Sequence, residues 1–221
     1  MARLLIFDFD GVLADSEVLA NAVLAEAITE LGVPTTAEDS MRVHIGKRFH
    51  EVIAAVEAAI GRAVPADFPQ TFQRRTLERF RAELRMVAGA RGFIEAFADV
   101  PRCIASSSSP DRLALCLELL DLEKLFGANV FSASQVARGK PHPDVFWFAA
   151  ERMGVDPRDA LVVEDSAGGV QAAVAAGMTV IGLLAASHIR AGHADALRAA
   201  GAHYVASTFA EAEQIARPLL T

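Results

Sequence analysis

Residues Leu4 to Asp8 form an apolar run without alternation that ends on acids, LLIF followed by Asp8-Phe9-Asp10-Gly11. A continuous apolar strand suits a parallel sheet covered on both faces, because a half-exposed strand would alternate. Residues i and i+2 on a strand point the same way, about 6–7 Å apart. Asp8 and Asp10 are therefore expected side by side at a strand's carboxyl end, where an open parallel sheet has its ligand crevice. Gly11 then permits a sharp turn. On their own, these residues also fit an ordinary turn with two solvated acids.

Short apolar runs recur at Cys103-Ile104-Ala105, Leu161-Val162-Val163, Thr179 to Leu183 and His203-Tyr204-Val205. Helical patterns separate them near 111–120, 143–153, 167–176, 193–200 and 209–217. Strand and helix alternating from about residue 88 predict an α/β fold with a doubly wound parallel sheet. The stretch 15–87 differs. Its apolar residues (Val18, Leu19, Val23, Leu24, Ala27, Ile28, Leu31, then Val52, Ile53, Val56, Ile60) have helical spacing, with Gly32 and Gly61 as stops and Pro34 and Pro65 as breakers. The expected division is a core of 1–14 and 88–221 with an inserted all-helical domain, 15–87, hinged near Ala14–Ser16 and Val87–Arg91.

Further segments add chemistry. Leu161-Val162-Val163-Glu164-Asp165 is a second buried strand tipped with acids, and Ser166 after it is a candidate helix N-cap. Four carboxylates at two strand ends repel unless a cation sits among them; Mg²⁺ suits a few carboxylates together with water and phosphate oxygens. Ile104-Ala105-Ser106 ends a strand in a hydroxyl before Pro110 and Asp111 open a helix, a possible phosphate cradle or a plain cap. Lys140 stands in Gly-Lys-Pro-His-Pro-Asp, a turn stiffened by two prolines. It is either a solvated loop lysine or a fixed cation for carboxylate or phosphoryl oxygens.

Composition narrows the partners. The 221 residues carry a net charge of −7, which disfavours a nucleic-acid partner. Only two cysteines are present, Cys103 and Cys116, both in apolar surroundings, and they are expected as buried reduced thiols. No run of about 18 apolar residues predicts a membrane span. The opening MARLLIFDFD lacks a signal-peptide pattern, so the expected location is cytoplasmic.

In this order the motifs closely resemble the haloacid dehalogenase superfamily: Asp8, Asp10 and Gly11, then Ser106, then Lys140 in its KPxPD turn, then Glu164 and Asp165. Within it, the chain is similar to the β-phosphoglucomutase and phosphoglycolate phosphatase-like branch with a small helical cap. The resemblance implies a Rossmann-like sheet of order 5-4-1-2-3, placing strand one between the strands that bear Ser106 and Asp165. It implies an Mg²⁺-dependent phosphatase acting through an aspartyl-phosphate. Asp8 is then the nucleophile and Asp10 the acid/base, while Ser106, Ser107 and Lys140 bind the phosphoryl group. The metal is held by Asp8, the Asp10 carbonyl and Asp165, with Glu164 in support. Gly46 and Arg48 match the cap's substrate loop. The implied substrate is a small phosphorylated metabolite: a sugar phosphate, a sugar-acid phosphate or phosphoglycolate. Either a monomer or a dimer accords with the sequence.

Asp10 argues against dehalogenation, since a halide leaves without a proton. A hexose phosphate mutase is the alternative. The histidine and lysine that those mutases carry are absent from Ser16 to Ala20 and Ser107 to Pro110. A non-catalytic phosphoacceptor domain lacks an inserted cap and leaves Asp10 unexplained, and against a degenerate phosphate-binding domain no motif position is missing. Arg74, Arg75, Arg79, Arg81 and Arg85 read as a solvated helix face. His44 and His50, which could line the cap side of the cleft, read as structural, and His142 is the variable residue of the KPxPD turn. The five-residue spacing of His188 and His193 makes no convincing metal site.

Overall fold

A computed structural model describes residues 2–45 and 49–220. The chain begins with β1 (Leu4–Phe7), then runs through α1 (Glu17–Glu30), α2 (Ala37–His44), α3 (Phe49–Ile60) and α4 (Phe68–Glu83). From there helix and strand alternate: α5 (Ala90–Ala96), β2 (Arg102–Ser106), α6 (Pro110–Leu119), α7 (Glu123–Phe126), β3 (Val130–Ser132) and α8 (Asp144–Met153). The remainder is β4 (Ala160–Glu164), α9 (Ala167–Ala175), β5 (Thr179–Leu183), α10 (His193–Ala199), β6 (Tyr204–Ala206) and α11 (Phe209–Leu220). Contacts divide the chain into two compact units, Met1–Asp15 with Arg85–Thr221, and Ser16–Leu84. Where the chain leaves and re-enters the first unit, Ala14 bridges Met86, and Asp15 N donates to the Arg85 carbonyl at 2.9 Å.

Among the described residues the first unit has one six-stranded sheet of order β3-β2-β1-β4-β5-β6, all pairs parallel. Five of these strands follow the expected 5-4-1-2-3 order. The correction is a sixth strand, β6, which extends the edge beside β5. β3 is only three residues long, too brief for periodicity to reveal, and the run at 203–205 is β6.

β1 is buried throughout because both faces are covered. Leu4 and Ile6 join a cluster with Val145, Phe146, Val162 and Val170. Phe7, on the opposite face, meets Phe93 and Phe126 edge-on at centroid distances of 5.9 and 5.8 Å. Each fully buried Leu, Ile or Phe contributes about 1.5–3 kcal/mol of transfer free energy, so this strand is a fixed base for the acids at its carboxyl end.

The second unit has its own core, in which Leu24 and Ile28 of α1, Val52 and Val56 of α3, and Phe68 of α4 pack together. Gly32 and Gly61 adopt positive φ of 104° and 71°, the left-handed conformation expected of helix stops. Among the described residues no helix is long and apolar enough to cross a membrane. Both cysteines are buried and free, and burial pushes the Cys116 thiol up to about 12.

Candidate active site

The chain order creates the site. It moves outward from β1 through β2 to β3, then returns to β4 on the other side of β1. At such a reversal the connecting helices part and leave a crevice at the strands' carboxyl ends. Register aligns Phe7 with both Ile104 and Val163. Asp8, Ser106, Glu164 and Asp165 consequently lie at one edge of the sheet, and Asp8 N donates to the Val163 carbonyl at 3.0 Å.

Asp8, Glu164 and Asp165 are all buried, and each offers a carboxylate oxygen within 4.8 Å of the others. Two such charges repel by about 3–4 kcal/mol at an effective dielectric near 20. Lys140 partly offsets this, its Nζ donating to Asp8 Oδ1 at 2.5 Å and to Glu164 Oε1 at 2.7 Å. Burial pushes Asp8 well above the usual carboxylate range; Lys140 pulls it back, and Glu164 and Asp165 add to the rise. Burial pulls Lys140 down, but attraction to Asp8 and Glu164 outweighs that and holds the ammonium above its ordinary value. One lysine among three buried carboxylates leaves negative charge to be balanced. An all-oxygen, hard donor set of this kind fits Mg²⁺.

Glu164 is held from below by α9. Ser166 donates to its Oε2 from the backbone amide at 2.7 Å and from the hydroxyl at 3.0 Å. Ser166 is also the expected N-cap, accepting from Gly169 N at 3.1 Å. A Cβ on Gly169 would stand 1.6 Å from Glu164 Oε1, so this glycine makes room for the acid. Gly11 has φ +81°, and a Cβ there would stand 1.9 Å from Asp165 Oδ2.

A family model of haloacid dehalogenase-like hydrolases matches residues 2–177. The chain belongs to that family. It is a phosphoric monoester hydrolase, as its named relatives are. A phosphorylated carbohydrates phosphatase of Thermotoga maritima is 35% identical, over 78% of this chain and 81% of that one. The 6-phosphogluconate phosphatase of Escherichia coli (strain K12) is 28% identical over 82% of each. A solved haloacid dehalogenase-like protein of unknown function from Agrobacterium tumefaciens str. C58 superposes with a TM-score of 0.89, at 34% identity over the whole of both chains.

In this hydrolase the remaining sequence candidates are placed unevenly. Ser106 is buried at the end of β2, its Oγ accepting from Ser108 N at 3.1 Å, while Ser107 is exposed beside it. Asp10 turns its carboxylate to α6: Ser108 Oγ donates to Oδ2 and Arg112 Nη2 to Oδ1, both at 2.5 Å. Gly46 and Arg48 lie outside the described residues. Arg74 pairs with Glu78, Arg75 with Glu30 and Arg79 with Glu26, each at 2.8 Å within the helical unit, as a solvated face would.

Sequence reasoning missed Ser108, Arg112, His188 and His193. Ser132, also missed, donates to the Ser108 carbonyl at 2.7 Å and braces that loop. For Arg112 there was a readable signal: it directly follows the helix-opening pair Pro110-Asp111, in the first turn of α6.

Proposed function

We propose that this hydrolase is an Mg²⁺-dependent phosphatase for small phosphomonoesters, of the sugar phosphate, sugar-acid phosphate or phosphoglycolate type, acting through an aspartyl-phosphate on Asp8. The observation that carries the reading is the buried group Asp8, Glu164 and Asp165 with Lys140 as its counter-charge. The names of the two phosphatase relatives support the sugar phosphate and sugar-acid phosphate types.

Asp8 Oδ attacks phosphorus as the ester P–O bond breaks, and Asp10 gives its proton to the departing alkoxide. Asp10 then takes a proton from the water that attacks the acyl-phosphate, which releases inorganic phosphate and restores the Asp8 carboxylate. Lys140, Ser106 and Ser107 hold the phosphoryl oxygens where charge spreads in the transition state. Asp8 and Asp165, with the Asp10 carbonyl and with Glu164 in support, would bind Mg²⁺, which supplies charge screening between carboxylate and phosphate when bound. Ser108 and Arg112 hold the Asp10 carboxylate in a defined place.

The test is phosphate release from a panel of small phosphomonoesters, with Mg²⁺ or with EDTA, for the parent and Asp8→Asn. Expected is Mg²⁺-dependent release that the variant lacks, with hydroxylamine trapping a phosphoenzyme-derived hydroxamate only in the parent. Interconversion of glucose 1- and 6-phosphates without net release would overturn hydrolysis in favour of a mutase.

A further inference from the structure

Two histidines with no place in the proposed chemistry both converge on Asp165. They come from the segment between β5 and the first turn of α10, and β5 is the strand paired with β4. His188 Nε2 lies 3.1 Å from Asp165 Oδ2, with only 3% and 5% of the two side chains exposed. His193 Nε2 lies 2.5 Å from the backbone oxygen of Asp165. A carbonyl oxygen can only accept, so His193 Nε2 is the donor to Asp165 O, while His188 Nε2 stands within contact distance of the Asp165 carboxylate. The rings stand edge-on to one another, 6.0 Å between centroids and 85° between planes.

The segment that carries them is itself fastened. Ser187 donates to Asp15 Oδ1 from its amide at 3.1 Å and from its hydroxyl at 2.8 Å. Arg190 Nη1 closes the turn on the carbonyls of Ser187 and Ile189, at 2.8 and 3.0 Å. Opposite, Gly11 approaches so closely that a Cβ would reach both Asp165 Oδ2 and His188 Cε1, at 1.9 and 2.9 Å. The carboxylate of Asp165 is thus confined between a backbone wall and an imidazole.

We propose that His188 and His193 are positioning residues for Asp165, fixing its side chain and its backbone so that the carboxylate meets a divalent cation in one orientation. This rests on the reading that Asp8 and Asp165 hold that cation. The terminal torsion of an aspartate is broad and two-fold, so a free carboxylate spends much of its time turned away from any ligating geometry. A donor on one oxygen removes that freedom and directs the other edge. Loss of such outer partners lowers metal affinity by about 10–100-fold in metal sites generally. The histidines move no proton and need not touch the ion.

The test is calorimetric titration of Mg²⁺ into the full chain, stripped of metal, comparing the parent with His188→Ala, His188→Gln, His193→Ala and Asp165→Asn. The expected result is Mg²⁺ binding weakened about 10-fold or more in His188→Ala, with a smaller loss in His193→Ala. Glutamine, which returns an amide donor near the imidazole nitrogen, recovers part of the affinity. The Mg²⁺ concentration for half-maximal activity rises in step, while kcat at saturating Mg²⁺ and KM for the ester stay within about twofold. Melting in EDTA checks folding, and if His188→Ala does not fold, His188→Phe supplies a ring without the donor. Parent-like Mg²⁺ affinity in the folded donor-less variant would overturn the inference. A parent that binds no more Mg²⁺ than Asp165→Asn would instead overturn the metal reading, and the inference with it.

Discussion

Asp8 and Asp10 sit two residues apart and live in different surroundings. Asp8 is buried among like charges; Asp10 is held by a hydroxyl and a guanidinium. For Asp8 the folded protein binds its proton more tightly than the unfolded chain does, whose value is near 3.8. Its contribution to stability is therefore full below that value and is lost as pH rises through the raised folded one. Asp8→Asn removes this titration, so in EDTA at neutral pH the variant should melt above the parent, and the gap should close below about pH 4. A melting curve series across pH, with and without Mg²⁺, checks it; Mg²⁺ should raise the parent far more than the variant. Arg112→Ala should leave Asp10 in place chemically but loosely aimed. The expected loss in kcat is about 10–100-fold, below most of the roughly 10²–10⁴-fold that a general acid–base group supplies, because Asp10 itself remains. Esters with poor leaving groups should suffer most, because a good leaving group needs little protonation; equal losses across a leaving-group series would oppose this role.

At the level of elements, strand ends and helix starts meet in the same few residues. Glu164 ends β4, and Ser166, two residues on, caps α9 while holding Glu164. Gly169, inside that helix, would gain about 1 kcal/mol as alanine from propensity alone. The Cβ would collide with a Glu164 side chain already pinned by Lys140 and Ser166, so the contact should win. Gly169→Ala is expected to lower the melting temperature and weaken the Mg²⁺ response, and a stabilised, fully responsive variant would contradict the packing. The element pattern was largely readable: β1, β2, β4 and β5 carry continuous apolar runs because both sheet faces are covered. β3 was not, because a three-residue strand has no period to detect and takes its conformation from pairing with β2.

Over the whole molecule, two cores are built from two kinds of periodicity: a doubly covered sheet and a set of amphipathic helices. Cys103 and Cys116 both belong to the first unit and are fully buried. With thiols pushed far above neutral values by burial, they should react with a thiol reagent only as fast as that unit opens, and labelling under rising denaturant should follow the unfolding of the sheet. Sequence alone determined the α/β class, the inserted helices and the acids at the ends of β1 and β4, because each is encoded in neighbouring residues: an unbroken apolar run, a helical spacing, a charge where the run stops. Tertiary structure alone decided that Arg112 and Ser108 serve Asp10, that Gly169 shelters Glu164, and that two histidines beyond β5 grip Asp165. Apart from Gly169, which follows Glu164 closely in the chain, those partners lie far away along the sequence, and only the order of the strands, set by burial of the whole sheet, brings them into contact.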